Sequence, residues 1–433
     1  MFNKKTFNVD ALCMQTTIGN SQTLLGLADF STQATKAGFV GAGVPSALAK
    51  PWADGDGVYR PSDDGVPCDS PVISRLCASV MVQREMVTMP IMRGIADACR
   101  RYRPFVGQRV ALSHVMVPNT LPLILSLLQG GARLVVSNCF PPALSKEVLA
   151  LLRTAGVSVE LSYPLVAQAA DFVLDCGGSL AGQHKAKGVV EVTRTGYHKY
   201  KSYADETVIV NIDDSLTKYI EDFFGTSTAL IRALNYYLGS AREYLGSRTV
   251  AVVGFGKVGR GIASQLKHKA RHVVVLDVSE EAVKIARRLG FEAVLISKDV
   301  FSNTTGLKSA DIVISCTGHK GAIGASFDKK GIENKLLINM GAEDEFGDQY
   351  SSSEIFHSKE TAINFNLNPP TENMYIDAIL AAQIEGLYYL INHKLAPGLH
   401  LLPRSSDRAI VDRFCGIHQV SFSTLRDYFE GIG

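Results

Sequence analysis

The sequence lacks most of the features that would take a chain out of the ordinary interior of a cell. Its start, MFNKKTFNVDALC, has no apolar run fit for a signal peptide, and no stretch approaches the roughly 18 consecutive apolar residues of a membrane span. A cytoplasmic protein is expected, with no membrane partner. Charge of one sign is also missing. The formal net charge is +2, so nothing draws the whole chain to nucleic acid or anionic lipid, and no nucleic-acid partner is expected. The eight cysteines are scattered, with no C-x-x-C and no cysteine–histidine pairing at zinc spacing, so no metal site is expected. A disulfide is not expected in a reducing compartment either. Internal repeats, low-complexity tracts and charge blocks are absent.

What remains is a long, well-patterned chain. Its 433 residues allow two or three domains, and 46% of them are apolar, enough for a large core. Residues 1–65 are weakly patterned and rich in small residues, as in KAGFVGAGVPSALAKPWADGDG, and read as an N-terminal extension. From about residue 84 the pattern becomes regular. EMVTMPIMRGIADACRRY has helical spacing, RVALSH reads as a strand, TLPLILSLLQGGA as a helix, RLVVSN as a strand and PPALSKEVLALLRTAG as a helix. VSVEL, DFVLD and TVIVNIDDSL continue the strands, and SLTKYIEDFFGTSTALIRALNYYLG reads as one long helical segment. A second series follows, through RTVAVV, RHVVVLD, ADIVISCTG and NKLLINMG. Strands alternating with helices specify parallel sheets covered on both faces. The fold class expected is α/β, with two doubly wound, Rossmann-like parallel-sheet domains in sequence. The C-terminal helices are expected to return to the first.

VAVVGFGKVGRGIASQL is the strongest single signal. An apolar strand runs into Gly254, Gly256, Lys257, Val258 and Gly259, and a helix begins at once. The first glycine permits the tight turn, the second lets a pyrophosphate approach the backbone, and the third lets helix and strand pack closely. The next strand ends at Asp277, about 20 residues on, where a carboxylate can accept both ribose hydroxyls and repel a 2′-phosphate. This pattern calls for NAD rather than NADP.

Several other stretches resemble, in the same order, the S-adenosylhomocysteine hydrolase (adenosylhomocysteinase) family. MPIMR, ALSHVMVPNTLPLILSLLQGGARLVVSNC, LDCGGSL, EVTRTGYHKY, VNIDDSLTK, EDFFGTSTALI, AAQIE and PGLHLLP carry the likeness together with the glycine turn, over roughly residues 85–433. The resemblance implies a substrate-binding domain at 66–222, an NAD-binding domain at 223–366 and a segment, 367–433, returning to the first domain and to an interface. It also implies a homo-oligomer, dimer or tetramer, that binds a small-molecule substrate and NAD tightly. In that family the ribose 3′-hydroxyl is oxidised, the thiol eliminated, water added and the ketone reduced.

By the same resemblance, part of the catalytic set is kept. Lys218 stands at the family's lysine near the reacting hydroxyl, and Glu221 or Asp222 at its aspartate, since one residue is missing before Gly225. His114 stands at the family's histidine. Thr193, Arg194 and Thr195 match a threonine triplet, and Thr317, Gly318, Asn339, Gly341 and Asn364 match positions around the nicotinamide and its ribose. Lys218 serves as general base only if its pKa is lowered. The elimination half departs from the family. Cys176 replaces a carboxylate, Val192 a glutamate, Arg194 a threonine and Ala342 a histidine, while Met116 and Pro118 replace the residues that hold adenine. The family's Lys and Tyr tail is missing from DYFEGIG. Cys176 reads as a cleft residue in a vacated carboxylate position: an inert thiol, a weak acid, or a nucleophile if a base such as His114 or His198 lies within reach.

The function expected is oxidation of a secondary alcohol, such as that of a nucleoside or sugar, by an NAD-dependent adenosylhomocysteinase-like enzyme that is not an efficient hydrolase of S-adenosylhomocysteine. A catalytically silent NAD-binding regulator or scaffold is the alternative, and a rewired hydrolase the third reading.

Overall fold

The structure is a computed structural model. It describes residues 69–421 apart from 169, 184, 185, 298, 300–302, 305 and 306. The expected N-terminal extension and the DYFEGIG tail lie outside the described residues.

Two parallel sheets carry the architecture. The first contains β1 (Arg109–His114), β2 (Arg133–Asn138), β3 (Ser158–Val159), β4 (Phe172–Asp175), β5 (Gly188–Glu191) and β6 (Val208–Asn211). The second contains β7 (Thr249–Val253), β8 (His272–Asp277), β9 (Glu292–Leu295), β10 (Ile312–Ser315) and β11 (Leu336–Asn339), in the order β11-β10-β7-β8-β9. The last strand, β12 (Gly398–Leu401), returns to the first sheet beside β6, giving the order β12-β6-β5-β4-β1-β2-β3. Every strand pair is parallel. Strands β4, β5, β6, β7 and β10 are buried along their whole length, the pattern of strands covered on both faces.

Strand order fixes where ligands can go. In the first sheet the chain runs outward from β1 through β2 to β3, then crosses back to β4 on the other side of β1. In the second it runs from β7 through β8 to β9, then crosses to β10 on the other side of β7. Each reversal leaves a crevice at the carboxyl ends of the two strands that flank it. His114 and Cys176 stand at the first crevice, Gly254 and Thr317 at the second.

The helices differ from the sequence pattern in two informative places. EMVTMPIMRGIADACRRY is broken at Met89 into Val80–Thr88 and Pro90–Tyr102. Pro90 has no N–H to continue the first helix but fits the first turn of the second. Ile91 and Met92 N–H donate to Asp377 at 2.8 and 2.7 Å, so a carboxylate 285 residues away holds that first turn. The segment around Lys218 is not uniformly α-helical either. Leu216–Tyr219 passes into a π-helical stretch, Ile220–Thr226, before the α-helix Ser227–Leu238. Such widened turns recur at functional sites.

The long helix Asn373–Asn392 is apolar enough to cross a bilayer by composition, yet 72% of its apolar window is buried in this fold. It packs on Pro90–Tyr102, β5, the π-helical stretch and the last described helix, Arg404–His418. It is a core helix that joins the C-terminal part of the chain to the first sheet.

Candidate functional site

Both crevices open into one cavity of about 480 Å³. Lys218, Glu221, Asp222, His114 and Cys176 all line it, as do Gly256, Lys257, Val258, Thr193, Arg194, Thr195, Thr317, Gly318, Gly341 and Asn364. Gly254, Gly259, Asp277 and Asn339 do not line it. Gly254 and Gly259 build the turn from beneath. Asp277, at the end of β8, accepts the N–H of Phe255 at 2.6 Å and of Ser279 at 2.7 Å. Asn339 is wholly buried and braces a loop, its amide donating to the carbonyls of Glu343 and Lys359.

The glycine turn has the shape its sequence calls for. Gly254 sits at φ +93°, and a Cβ there would meet the Cys316 carbonyl oxygen at 2.5 Å. A Cβ on Gly259 would stand 1.9 Å from the Gly254 carbonyl oxygen. A Cβ on Gly256 would meet nothing within 4 Å, so this backbone faces open space. No side chain caps the first turn of the helix Lys257–Leu266. Across the cavity, Asn364 is buried and its Oδ1 has no partner. An open backbone at a helix start, a carboxylate on the neighbouring strand and an orphaned acceptor together fit a dinucleotide with a carboxamide at its far end.

Beside the turn lies a cluster of buried charges. Ser215 accepts the Lys218 N–H at 3.1 Å, while Asp407 accepts from Leu216 N–H and from the N–H and hydroxyl of Thr217. This fixes the turn that carries Lys218. The Lys218 ammonium bonds to Glu221 and lies 3.2 Å from Asp222. Lys257 lies 3.3 Å from the other oxygen of Asp222 and 2.9 Å from Asp213. Arg194 reaches Asp213 at 2.8 Å and Asp214 at 2.5 Å.

These partners set the proton positions. Burial disfavours charge on Lys218, but Asp222, Glu221 and Asp213 outweigh it and hold the ammonium well above its ordinary pKa. The condition for Lys218 as a free base, a lowered pKa, is therefore not met. Burial raises the Glu221 carboxyl against the pull of Lys218, whereas the two lysines hold Asp222 below its ordinary value despite burial. His114 is pushed down to about 4, by burial first and then by the Lys218 charge, so its ring is neutral near pH 7.

Cys176 is a free thiol in hydrogen-bonding contact with the Cys139 side chain, which that contact and burial push up. Its turn is built by two buried carboxylates. Asp175 accepts from Cys176 and Leu180 N–H and from the Ser179 and Tyr200 hydroxyls. Glu191 accepts from the N–H groups of Gly177, Gly178, Val192 and Thr193 and from the Thr193 hydroxyl. Thr193 thus caps its own helix and ties down the turn, so its hydroxyl is already engaged. Val192 and Ala342 line the cavity, Met116 does not, and Pro118 lines a second cavity of about 400 Å³.

Sequence reasoning did not pick out Asp213, Asp175 or Glu191. An acidic residue closing an apolar strand was the available signal for the last two. Asp213 carried none beyond its place in VNIDDSLTK.

Fold and site define a dinucleotide-binding protein built from two doubly wound sheets. Residues 250–325 match the TrkA-N domain family. The chain is 27% identical over 279 residues to the S-inosyl-L-homocysteine hydrolase of Methanopyrus kandleri, covering 58% of this chain and 63% of that protein. It is 26% identical over 279 residues to the adenosylhomocysteinase of Archaeoglobus fulgidus, covering 58% of this chain and 66% of that protein. The match to the S-inosyl-L-homocysteine hydrolase of Methanosarcina mazei is 23% over 368 residues, covering 74% and 87% of the two chains. Against the first two, the matched part of the chain spans less than two thirds of the relative's length. Among solved structures, a dipicolinate synthase from Bacillus halodurans gives a TM-score of 0.40 at 14% identity, covering 64% of this chain and 97% of that one. The chain is thus similar, at 23–27% identity, to adenosylhomocysteinases and S-inosyl-L-homocysteine hydrolases, and its cofactor is NAD.

Proposed function

We propose that the protein oxidises a secondary alcohol of a neutral small molecule, with Lys218 and Glu221 accepting the hydroxyl proton as a pair. NAD, when bound, supplies the hydride acceptor. The glycine turn would hold its pyrophosphate, Asp277 its adenosine ribose, and Asn364 its carboxamide. We assign residues 66–222 and 367–433 to substrate and 223–366 to the cofactor.

The observation that carries this reading is the bond between Lys218 and Glu221 on the cavity wall. A lysine held as an ammonium cannot take a proton until it gives one up. Glu221 is the place for it, since burial has already raised that carboxyl. The substrate hydroxyl passes its proton to Lys218 as Lys218 passes its own to Glu221, so one buried charge pair replaces another. Neutral His114 can hold the same hydroxyl by hydrogen bond. An anionic substrate is disfavoured, because Lys218, Lys257 and Arg194 are already matched by Asp213, Asp214, Glu221 and Asp222. Val115, Val117, Phe365, Ile376 and Ile379 give the wall an apolar part.

Hydrolysis of S-adenosylhomocysteine is not part of this proposal, since Cys176, Val192 and Ala342 supply no carboxylate or imidazole where the family's elimination residues stand. The test is the near-ultraviolet band of NADH after adding a panel of neutral secondary alcohols to NAD-loaded protein. Appearance of the band, lost in Lys218→Met, supports the reading. No band with any alcohol overturns it in favour of a silent NAD-binding regulator, and rapid release of adenosine from S-adenosylhomocysteine overturns it in favour of a hydrolase.

A further inference from the structure

Asp222 stands between two lysines. One of its oxygens faces Lys218 at 3.2 Å and the other faces Lys257 at 3.3 Å. Lys257 is the first residue of the glycine-turn helix, a position that faces the cofactor phosphates in such folds. Its side chain does not stay there. It crosses to the loop after β6, bonding to the Asp213 carboxylate at 2.9 Å and to the Asp213 carbonyl. Asp213 is almost wholly buried and is held on its other side by Arg194.

We propose that Lys257 is a positioning residue for proton transfer, which shares Asp222 with Lys218 and thereby limits how firmly Lys218 holds its proton. This rests on the reading of Lys218 and Glu221 as the proton-accepting pair. The groups facing Lys218 are Glu221 and Asp222 from the π-helical stretch, Asp213 from the loop after β6, Lys257 from the glycine-turn helix and His114 from the end of β1. His114 is neutral, so the balance lies between three carboxylates and one other ammonium. Removing Lys257 changes each remaining interaction in the same direction. Asp222 turns wholly to Lys218, Asp213 loses one of its two cations, and a nearby positive charge disappears. Each change strengthens the hold on the Lys218 proton and slows its departure.

Competitive labelling of the full-length protein with acetic anhydride, read by mass spectrometry, tests this without relying on turnover. Only the neutral amine reacts, and exposed Lys284 serves as internal standard. In Lys257→Met, labelling of Lys218 relative to Lys284 is expected to fall several-fold, and in Lys257→Arg to stay near wild type. Unchanged or faster labelling in Lys257→Met overturns the proposal. A merely structural loss would open the site and speed labelling, the opposite sign. The pH profile of NADH formation should also move to higher pH in Lys257→Met. If wild-type protein oxidises no alcohol, the functional reading fails, but the labelling ratio still decides whether Lys257 governs the Lys218 proton.

Discussion

Gly259 lies against Gly254 so closely that a Cβ on the first would stand 1.9 Å from the carbonyl oxygen of the second, while a Cβ on Gly256 would meet nothing within 4 Å. The two glycines therefore do different work, and one methyl group separates them. Gly259→Ala must push helix from strand, an overpacking cost of about 1–3 kcal/mol, and should lower Tm by several degrees. Gly256→Ala should melt as wild type does yet bind NAD at least tenfold more weakly, because its methyl occupies the approach of the pyrophosphate. Differential scanning calorimetry and isothermal titration of each variant check the contrast. A Gly256→Ala protein that binds NAD normally would remove the turn from the cofactor site.

On the proposed reading, Asp277 would decide which dinucleotide is taken. Its carboxylate is already oriented by the N–H groups of Phe255 and Ser279. Asp277→Asn removes the charge and keeps an acceptor for one of those two amides. The ratio of NAD to NADP affinity is expected to drop at least tenfold, mostly through better binding of NADP, whose 2′-phosphate no longer meets a carboxylate. Titration with both dinucleotides measures it.

These two features were legible in the sequence because they are local. A glycine turn, the strand before it and the acid after the next strand lie within one short unit, so spacing alone carries the geometry. The alternation of strands and helices was legible for the same reason. The charge cluster was not. Lys257 meets Asp213 from 44 positions away, and nothing in GKVG says that its lysine turns from the phosphates to the other sheet. The choice between Glu221 and Asp222 was also open, because one residue is missing before Gly225. The π-helical stretch makes the choice unnecessary, since both carboxylates reach Lys218. Strands β5, β9 and β12 gave no clear pattern. Of these, β12 pairs with β6 from far along the chain, a placement that no local period signals.

Glu191 holds the turn that presents Cys176, and it does so only as an acceptor. Four N–H groups and one hydroxyl point at its two oxygens. Glu191→Gln turns one of those oxygens into an amide that faces donors. A loss of about 1–3 kcal/mol is expected from the unpaired groups, seen as a lower urea midpoint. Cys176 should also be alkylated faster by iodoacetamide, since its turn is no longer tied down, while fully buried Cys99 remains unmodified. An unchanged midpoint would mean that the Gly177–Gly178 turn stands without this carboxylate.

The burial of Glu385 implies a pH dependence of the fold whose sign follows from the direction of its shift. The residue lies in the core helix Asn373–Asn392, and burial pushes its carboxyl up to about 8 against a bond from Ser406. One of its oxygens has no partner. In the unfolded chain the group ionises near its ordinary 4.5. Between these values the native state holds a proton that the unfolded state has released. Its contribution is thus fully present below about pH 4.5 and is lost progressively as pH rises to about 8. At 1.36 kcal/mol per unit, the span amounts to at most about 5 kcal/mol. Glu385→Gln keeps the shape and cannot ionise. Chemical denaturation at pH 6 and at pH 8.5 should show wild type losing stability between the two, and Glu385→Gln losing markedly less. Equal losses in both proteins would show that Glu385 is not the group whose ionisation opposes the fold.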